Sequence, residues 1–212
     1  MKRVLVTGGS RGIGKSIVKK FIEENHYVWS PTREELDLIG DIHIENPNFD
    51  IVINCAGINP LSSIEDISDD VVMKVNYTSP LSIIQKCLPH MIKNNYGRII
   101  NIGSIWIDSS KPKRAAYSAS KSALHSLTKS LTAEYASKGI LTNTISPGFI
   151  STDLTYKNNT NEELQSICSK IPVGRLGSTE EVAKLVYQLT IENTFITGQN
   201  IIIDGGFLCT TY

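Results

Sequence analysis

The chain has 212 residues, of which 41% are hydrophobic and 20% are charged, with 21 basic and 21 acidic side chains. This length and composition predict one globular domain over residues 1–212 and exclude a disordered or fibrous chain. A formal net charge of zero argues against nucleic-acid binding, which depends on a positive surface. No apolar run approaches the roughly 20 residues that cross a bilayer, so we expect no membrane contact.

Four cysteines occur in the chain, and they show neither C-x-x-C spacing nor clustering with the four histidines. Their positions are 55, 87, 168 and 209. The apolar run that follows Met1 is short and leads into glycines instead of a cleavage site, which is not typical of a signal peptide. We therefore expect free thiols, a cytoplasmic location and no metal site.

Short apolar runs rich in β-branched residues alternate along the chain with stretches of helical spacing. The runs lie at 4–6, 27–29, 36–38, 51–53, 99–102, 142–145 and 201–203. The clearest helical stripes consist of Ile13, Ile17, Val18, Phe21 and Ile22, and of Ala123, Leu124, Leu127, Leu131 and Tyr135. This alternation predicts a doubly wound α/β domain around a parallel sheet that is buried on both faces.

The segment between the second and third apolar runs is unusually short. It leaves no room for the helix that normally connects parallel strands. We therefore expect a loop crossover that compacts the fold between the second and third strands.

Residues 7–14, which read TGGSRGIG, follow the first predicted strand and open the first predicted helix. Glycines at this point permit a tight turn and let the backbone approach a phosphate, whose charge the helix N-terminus favours. Residues 9–16 also match the P-loop spacing, in which Lys15 would reach the phosphates and Ser16 would hold magnesium, with Asp204 as a further acidic candidate. On this loop alone, dinucleotide binding and nucleoside triphosphate hydrolysis both remain open.

A second group of polar residues falls at predicted strand ends and at the start of the long helix. Tyr117 and Lys121 are four residues apart, which places them on one helix face. A free tyrosine has a pKa of about 10, and a nearby ammonium group lowers that pKa by favouring the phenolate. Ser104 and the segment 54–57 each follow an apolar strand, where the ligand crevice of a parallel sheet opens.

Several motifs, in order, make the chain resemble the short-chain dehydrogenase/reductase family, and within it the β-ketoacyl carrier-protein reductases. They lie at 7–14, 54–57, 76, 97–104, 117–121, 143–148, 172–177, 197–199 and 204–206. The resemblance implies a Rossmann-type fold and an oxidoreductase that transfers a hydride between a nicotinamide cofactor and a carbonyl or alcohol substrate. It disfavours the P-loop interpretation and leaves a cofactor-binding sensor without turnover as a further alternative.

The resemblance also implies roles for four catalytic residues. Tyr117 would be the general acid that protonates the carbonyl oxygen, and Ser104 would hydrogen-bond that oxygen. Lys121 would bind the nicotinamide ribose and lower the pKa of Tyr117. Asn76 would anchor a water that relays protons toward Lys121.

The cofactor expected is NADP(H), in preference to NAD(H). No acidic residue stands at the tip of the second strand to bind a ribose 2′-hydroxyl. Arg33 and Arg11 could instead clamp a 2′-phosphate, with Ser30 and Thr32 as hydroxyl donors. By analogy Asp37 would bind the adenine, and Thr152 the carboxamide. The remaining predicted cofactor contacts are Gly8, Ser10, Gly12, Ile13, Gly14, Asn54, Ala56, Gly57, Pro147, Gly148 and Ile150, together with Tyr117 and Lys121.

The expected substrate is a small-molecule or carrier-linked carbonyl compound, such as a 3-oxoacyl thioester, a keto sugar or another ketone. Residues 150–171 would form a flap over it. The cationic run 111–114 either attracts an anionic substrate or is a solvated loop, and the second interpretation is favoured. By analogy, the two long helices, roughly 69–94 and 115–138, would pair in a homodimer or homotetramer.

Overall fold

Six parallel strands form one sheet within residues 1–210, the part of the chain that the computed structural model describes. They are β1 (Arg3–Thr7), β2 (Tyr27–Trp29), β3 (Ile51–Asn54), β4 (Gly97–Ile102), β5 (Ile140–Pro147) and β6 (Asn200–Ile203). Their order across the sheet is β2-β1-β3-β4-β5-β6. The register places Val4 of β1 between Val28 of β2 and Ile51 of β3.

Helices cover both faces of this sheet. They are α1 (Gly12–Glu23), α2 (Asp70–Met73), α3 (Ser79–Lys93), α4 (Ala115–Tyr135), α5 (Asp153–Lys157), α6 (Asn161–Lys170), α7 (Thr179–Tyr187) and α8 (Phe207–Thr210). Two π-helical segments occur at Lys74–Thr78 and Gln188–Glu192, and short 3₁₀ turns at Ile64–Asp66, Ile105–Ile107 and Ala136–Lys138. Among the described helices, none combines the length and apolar character needed to span a membrane.

Alternation along the strands divides the core in two. Val4 and Val6 pack with Ile17 of α1 and Val182 of α7 on one face. Leu5 points to the opposite face, where it packs with α3 and α4. Because successive residues of a strand point to opposite sides, a continuous apolar run serves both layers. The prediction of a doubly wound parallel sheet is confirmed.

The prediction of a third strand at 36–38 is wrong. Residues 30–50 form neither helix nor strand, and the strand next to β1 is β3. The apolar signal of the segment comes from Leu36, which packs into the core with Ile42, Ile44 and Phe49. These side chains cover the sheet where a crossover helix would otherwise lie, so the compaction is present and extends over the whole β2–β3 connection. The α1 stripe is also narrower than predicted, because Ile22 is exposed.

Candidate active site

A cavity of about 1070 Å³ opens at the carboxyl ends of the central strands. It lies where the strand order reverses, with β2 reached on one side of β1 and β3 on the other. Ligands of open α/β sheets bind at such a switch point, because the loops diverge there and leave a crevice. The fold therefore brings the predicted motifs to a single location.

The glycine loop after β1 requires its glycines for steric reasons. Gly8 has φ of +72°, and a Cβ on it would lie 2.8 Å from Ala56 Cα. A Cβ on Gly14 would collide with the Gly8 carbonyl oxygen. The loop thus folds tightly on itself and presents the N-terminus of α1 to the cavity, a cradle that suits a diphosphate.

Most of the predicted site residues line this cavity. They are Gly8, Ser10, Arg11, Gly12, Ile13, Gly14, Thr32, Arg33, Asp37, Ala56, Gly57, Ser104, Tyr117, Lys121, Pro147, Gly148, Ile150 and Thr152. Thr152 caps α5 and lies close to the glycine loop, since its Cγ2 is 3.5 Å from where a Cβ on Gly12 would be.

Three predicted residues lie behind the cavity wall. The Ser30 hydroxyl packs beneath Gly9 of the loop. Asn54 is buried and donates a hydrogen bond of 2.8 Å to Asn101 Oδ1, which joins β3 to β4. Asn76 is fully buried as well. A polar residue next to a motif can therefore support the wall without reaching the ligand space.

Asn76 occupies the π-helical segment Lys74–Thr78 and holds the loop after β3. Its Oδ1 accepts from Ile58 N at 2.9 Å, and its Nδ2 donates to the Ile58 carbonyl at 3.0 Å and to Ser120 Oγ at 2.9 Å. A Cβ on Gly57 would lie 3.3 Å from both Asn76 Oδ1 and Lys121 Nζ. The absence of a side chain at Gly57 therefore leaves room for both polar groups beside the loop.

Tyr117, Lys121 and Ser104 converge on the cavity from α4 and from the end of β4. Lys121 Nζ lies 5.7 Å from the centroid of the Tyr117 ring and donates a hydrogen bond of 2.7 Å to the Ile102 carbonyl. Ser104 is buried, and its hydroxyl oxygen accepts from Trp106 N at 3.3 Å. The arrangement puts a hydroxyl, a phenol and an ammonium on one side of the ligand space.

The electrostatics differ from the sequence expectation. Burial raises the pKa of Tyr117, while Ser104 and Arg114 act to lower it because both stabilise a phenolate. Lys121 was expected to lower the pKa of Tyr117, but here its ammonium lies against the Ile102 carbonyl and burial lowers its own pKa to about 8. Arg114 is a cation that acts to lower the pKa of the Tyr117 phenol.

Arg114 is the site residue that sequence reasoning missed. The run 111–114 was favoured as a solvated loop, and Lys111 and Lys113 are indeed exposed. Arg114 instead is buried and lines the cavity beside Tyr117. The available signal is its position three residues before Tyr117, which places it at the N-terminal end of the helix that carries Tyr117.

The far end of the cavity is formed by the irregular segment after β2. Arg33 and Asp37 line this end of the cavity, and both side chains are largely exposed. Arg33 Nε lies 3.7 Å from Asp37 Oδ1. Glu35 turns back to accept from Thr32 N at 2.7 Å. The apolar lining of Leu36, Leu38 and Ile39 was missed, because no periodic pattern marks an irregular segment.

The P-loop alternative finds no matching geometry. Ser16 Oγ donates to Thr179 Oγ1 of α7 at 2.8 Å, so it faces away from the ligand space. Asp204 accepts from Gly206 N and Leu208 N, each at 2.8 Å, and thereby closes its own turn. Lys15 is exposed to solvent.

The predicted flap begins at the cavity mouth. Within the predicted range 150–171, helices α5 and α6 follow one another. Residues of α5 and the turn after it, among them Leu154 and Asn158, line the ligand space. The segment therefore faces the reacting groups across the cavity.

Comparison with known proteins gives consistent matches. A family model described as enoyl-(acyl carrier protein) reductase matches residues 37–208. The 3-oxoacyl-(acyl-carrier-protein) reductase of Rickettsia felis is 35% identical, over 98% of this chain and 97% of that protein. The enzyme of the same name from Vibrio cholerae is 33% identical, over 97% of this chain and 96% of that protein.

Solved structures agree over nearly the full length. The TT0495 protein of Thermus thermophilus superposes with a TM-score of 0.90 at 29% identity, covering 99% of this chain and 100% of that one. ElxO with NADP bound has a TM-score of 0.89 at 30% identity, with the same coverage. 4-Hydroxyisoleucine dehydrogenase complexed with NADH superposes with a TM-score of 0.88 at 27% identity, and the match covers all of both chains.

Proposed function

Since this chain belongs to the short-chain dehydrogenase/reductase family of oxidoreductases, we propose that it is an NADPH-dependent reductase of a ketone. The observation that carries the proposal is the convergence, in one cavity, of a glycine cradle with Ser104, Tyr117 and Lys121. A protein that only senses the cofactor has no use for a phenol and a hydroxyl placed together beside the cofactor site.

In the proposed reaction, NADPH supplies the hydride when bound. The Ser104 hydroxyl binds the carbonyl oxygen of the substrate and positions it against Tyr117. Tyr117 donates its phenolic proton to that oxygen, and its raised pKa keeps it protonated at neutral pH. Asn76 holds the loop after β3 in place, and Lys121 beside it is positioned to bind the ribose hydroxyls and return a proton to the phenol.

The residues around the cavity fit NADP(H). Backbone N–H groups at the start of α1 would hold the diphosphate. Arg11 and Arg33 are cations at the cavity edge, and Arg33 in particular could bind a 2′-phosphate once its loose contact with Asp37 opens. ElxO, which binds NADP, and 4-hydroxyisoleucine dehydrogenase, which binds NADH, share this fold. Because the fold accepts both cofactors, we assign the preference for NADP(H) to the two arginine side chains.

The substrate class is a carbonyl compound that enters as a small molecule or on a carrier. The relatives named as 3-oxoacyl-(acyl-carrier-protein) reductases support a ketone in the 3-position relative to a carboxyl-derived group. The open side of the cavity between the loop after β3 and the flap could admit either form.

The direct test is the loss of NADPH absorbance with 3-oxo compounds as substrates, offered both as a 3-oxobutanoyl thioester and as free 3-oxobutanoate. Tyr117→Phe should lower kcat at least about a hundredfold, as expected for removal of a general acid, while NADPH fluorescence still reports binding. Tyr135→Phe, which changes another tyrosine on α4, is the matched control and should retain activity. Full activity of Tyr117→Phe would refute the assigned acid, and NADPH binding without turnover in the wild type would favour a sensor.

Assembly into a homodimer or homotetramer through the outer faces of α3 and α4 is part of the same proposal, as is a cytoplasmic location. The support is the length of α3 and α4, 15 and 21 residues, on one face of the sheet. Light scattering after gel filtration would refute it by returning the monomer mass at micromolar concentration, and cell fractionation would test the location.

A further inference from the structure

Arg114 is a buried cation without a partner. It is only 8% exposed, and within the described residues 1–210 its guanidinium makes no hydrogen bond and no ion pair. Its Nε is wholly removed from solvent. Burial of an uncompensated charge is strongly unfavourable, so a structural explanation of this residue is incomplete.

Arg98 shows what a structural arginine looks like in the same molecule. It is 9% exposed, nearly the same as Arg114. Its Nη1 donates to the Gly97 carbonyl at 2.8 Å and to the Gly139 carbonyl at 3.0 Å. The Nε of Arg98 is unpartnered, as is that of Arg114, but its terminal nitrogens have backbone acceptors. Within the described residues, the Arg114 guanidinium, which borders the ligand space, has none.

Arg114 and Tyr117 border the same ligand space. Arg114 is the residue that directly precedes α4, and Tyr117 lies on the first turn of that helix. Both line the cavity, and each acts electrostatically on the other. Asp153 of the flap also lines the cavity, but no ion pair joins it to Arg114 among the residues described.

We propose that Arg114 binds a carboxylate of the substrate itself, so that the enzyme reduces short 2-oxo or 3-oxo acids. This inference rests on the proposed function and narrows its substrate class. A guanidinium pairs with a carboxylate through two parallel hydrogen bonds, which fixes the ketone relative to Tyr117. A neutral ester or thioester cannot form this pair and lacks its binding energy, so the free acid is the preferred substrate.

The reaction balances without any further reactant. The hydride of NADPH forms a C–H bond at the carbonyl carbon, and the proton of Tyr117 forms the O–H bond as the C=O π bond breaks. NADPH is oxidised to NADP⁺, and the oxo acid is reduced to a hydroxy acid. The carboxylate on Arg114 is unchanged, and a solvent proton restores the phenol.

A matched pair of probes tests the inference: 3-oxobutanoate and its neutral ethyl ester, at constant ionic strength. The wild type should prefer the acid. Arg114→Gln should lower kcat/KM for the acid by about tenfold or more, chiefly through KM, because a charge-assisted pair is lost. The kcat/KM of the same variant for the ester should change by less than about twofold, because the ester makes no such pair. Lys111→Gln removes an exposed cation from the same run and should affect neither substrate.

Binding provides a second measurement that does not need turnover. With NADP⁺, 3-oxobutanoate forms a complex that cannot react, and it should raise the Tm of the wild type but not that of Arg114→Gln. Equal losses of kcat for acid and ester, with a shifted pH profile, would show that Arg114 acts on Tyr117 and would overturn the inference. A wild type that reduces only the ester, or whose Tm 3-oxobutanoate does not raise, would overturn it too. Failure of the proposed function is distinct, since then NADPH itself would not bind or no carbonyl compound would be reduced.

Discussion

Replacing Lys121 by methionine should stabilise the cofactor-free protein at neutral pH although it removes a residue of the candidate site. Burial lowers the pKa of Lys121 from 10.5 to about 8, which corresponds to about 3 kcal/mol of unfavourable free energy for the charged form. Loss of the hydrogen bond to the Ile102 carbonyl offsets about 1 kcal/mol of this. We therefore expect a net gain of about 2 kcal/mol in the free energy of unfolding at pH 7.

The same shift fixes the sign of the pH dependence. Between the two pKa values the unfolded chain binds more protons than the folded one, so the stability of the wild type rises with pH in that interval and is lowest below it. Relative to Lys121→Met, the wild type should gain about 2 kcal/mol between pH 7 and about pH 9.5.

Urea unfolding of both proteins across that pH range measures the difference directly. Lys129→Met is the matched control, because Lys129 is exposed on the same helix and its ammonium remains in water in both states. The difference in the free energy of unfolding between Lys129→Met and the wild type should be the same across this pH range. A constant difference between the wild type and Lys121→Met, or one that grows as the pH falls, would refute the reasoning.

Three further outcomes are expected. Arg33→Ala should weaken NADPH binding by about tenfold and NADH binding little, because only NADPH carries the 2′-phosphate; equal losses in a fluorescence titration would contradict this. Gly14→Ala should cost about 2 kcal/mol of stability and weaken NADPH binding, because its methyl group meets the Gly8 carbonyl. Gly40→Ala, whose methyl group would come no closer than 3.8 Å to Asp37, should change neither. Ser178→Ala removes the capping box of α7 and should cost about 1 kcal/mol in urea unfolding with NADPH binding unchanged; an unaltered midpoint would show that the cap does not contribute.

Regular periodicity explains why most of the fold was predictable. A strand such as β3 is buried on both faces, so its sequence reads as a continuous apolar run, and the glycine loop must follow β1 because only glycine fits its turn. The segment 36–38 misled the prediction because Leu36 is buried for a reason unrelated to strand pairing. A loop that covers a sheet needs apolar side chains as much as a strand does, and the local pattern does not separate the two.

The reacting groups of the site were predictable, but the contacts of the residues behind and beside them were not. Tyr117 and Lys121 stand at a spacing that reports helix geometry, whereas Asn76 reaches Ile58 through a π-helical segment that has no sequence period of its own. Arg114 was obscured for another reason. Three cations in four residues suggest a solvated loop, and only the tertiary structure shows that one of them turns inward.

The charges around the cavity connect these observations. Arg114 and Lys121 are both buried cations, and within the described chain neither forms an ion pair with a carboxylate. Each raises the free energy of the ligand-free protein, and an anion in the cavity would relieve that cost. A cofactor phosphate at the glycine loop and a carboxylate at Arg114 would together neutralise this end of the sheet.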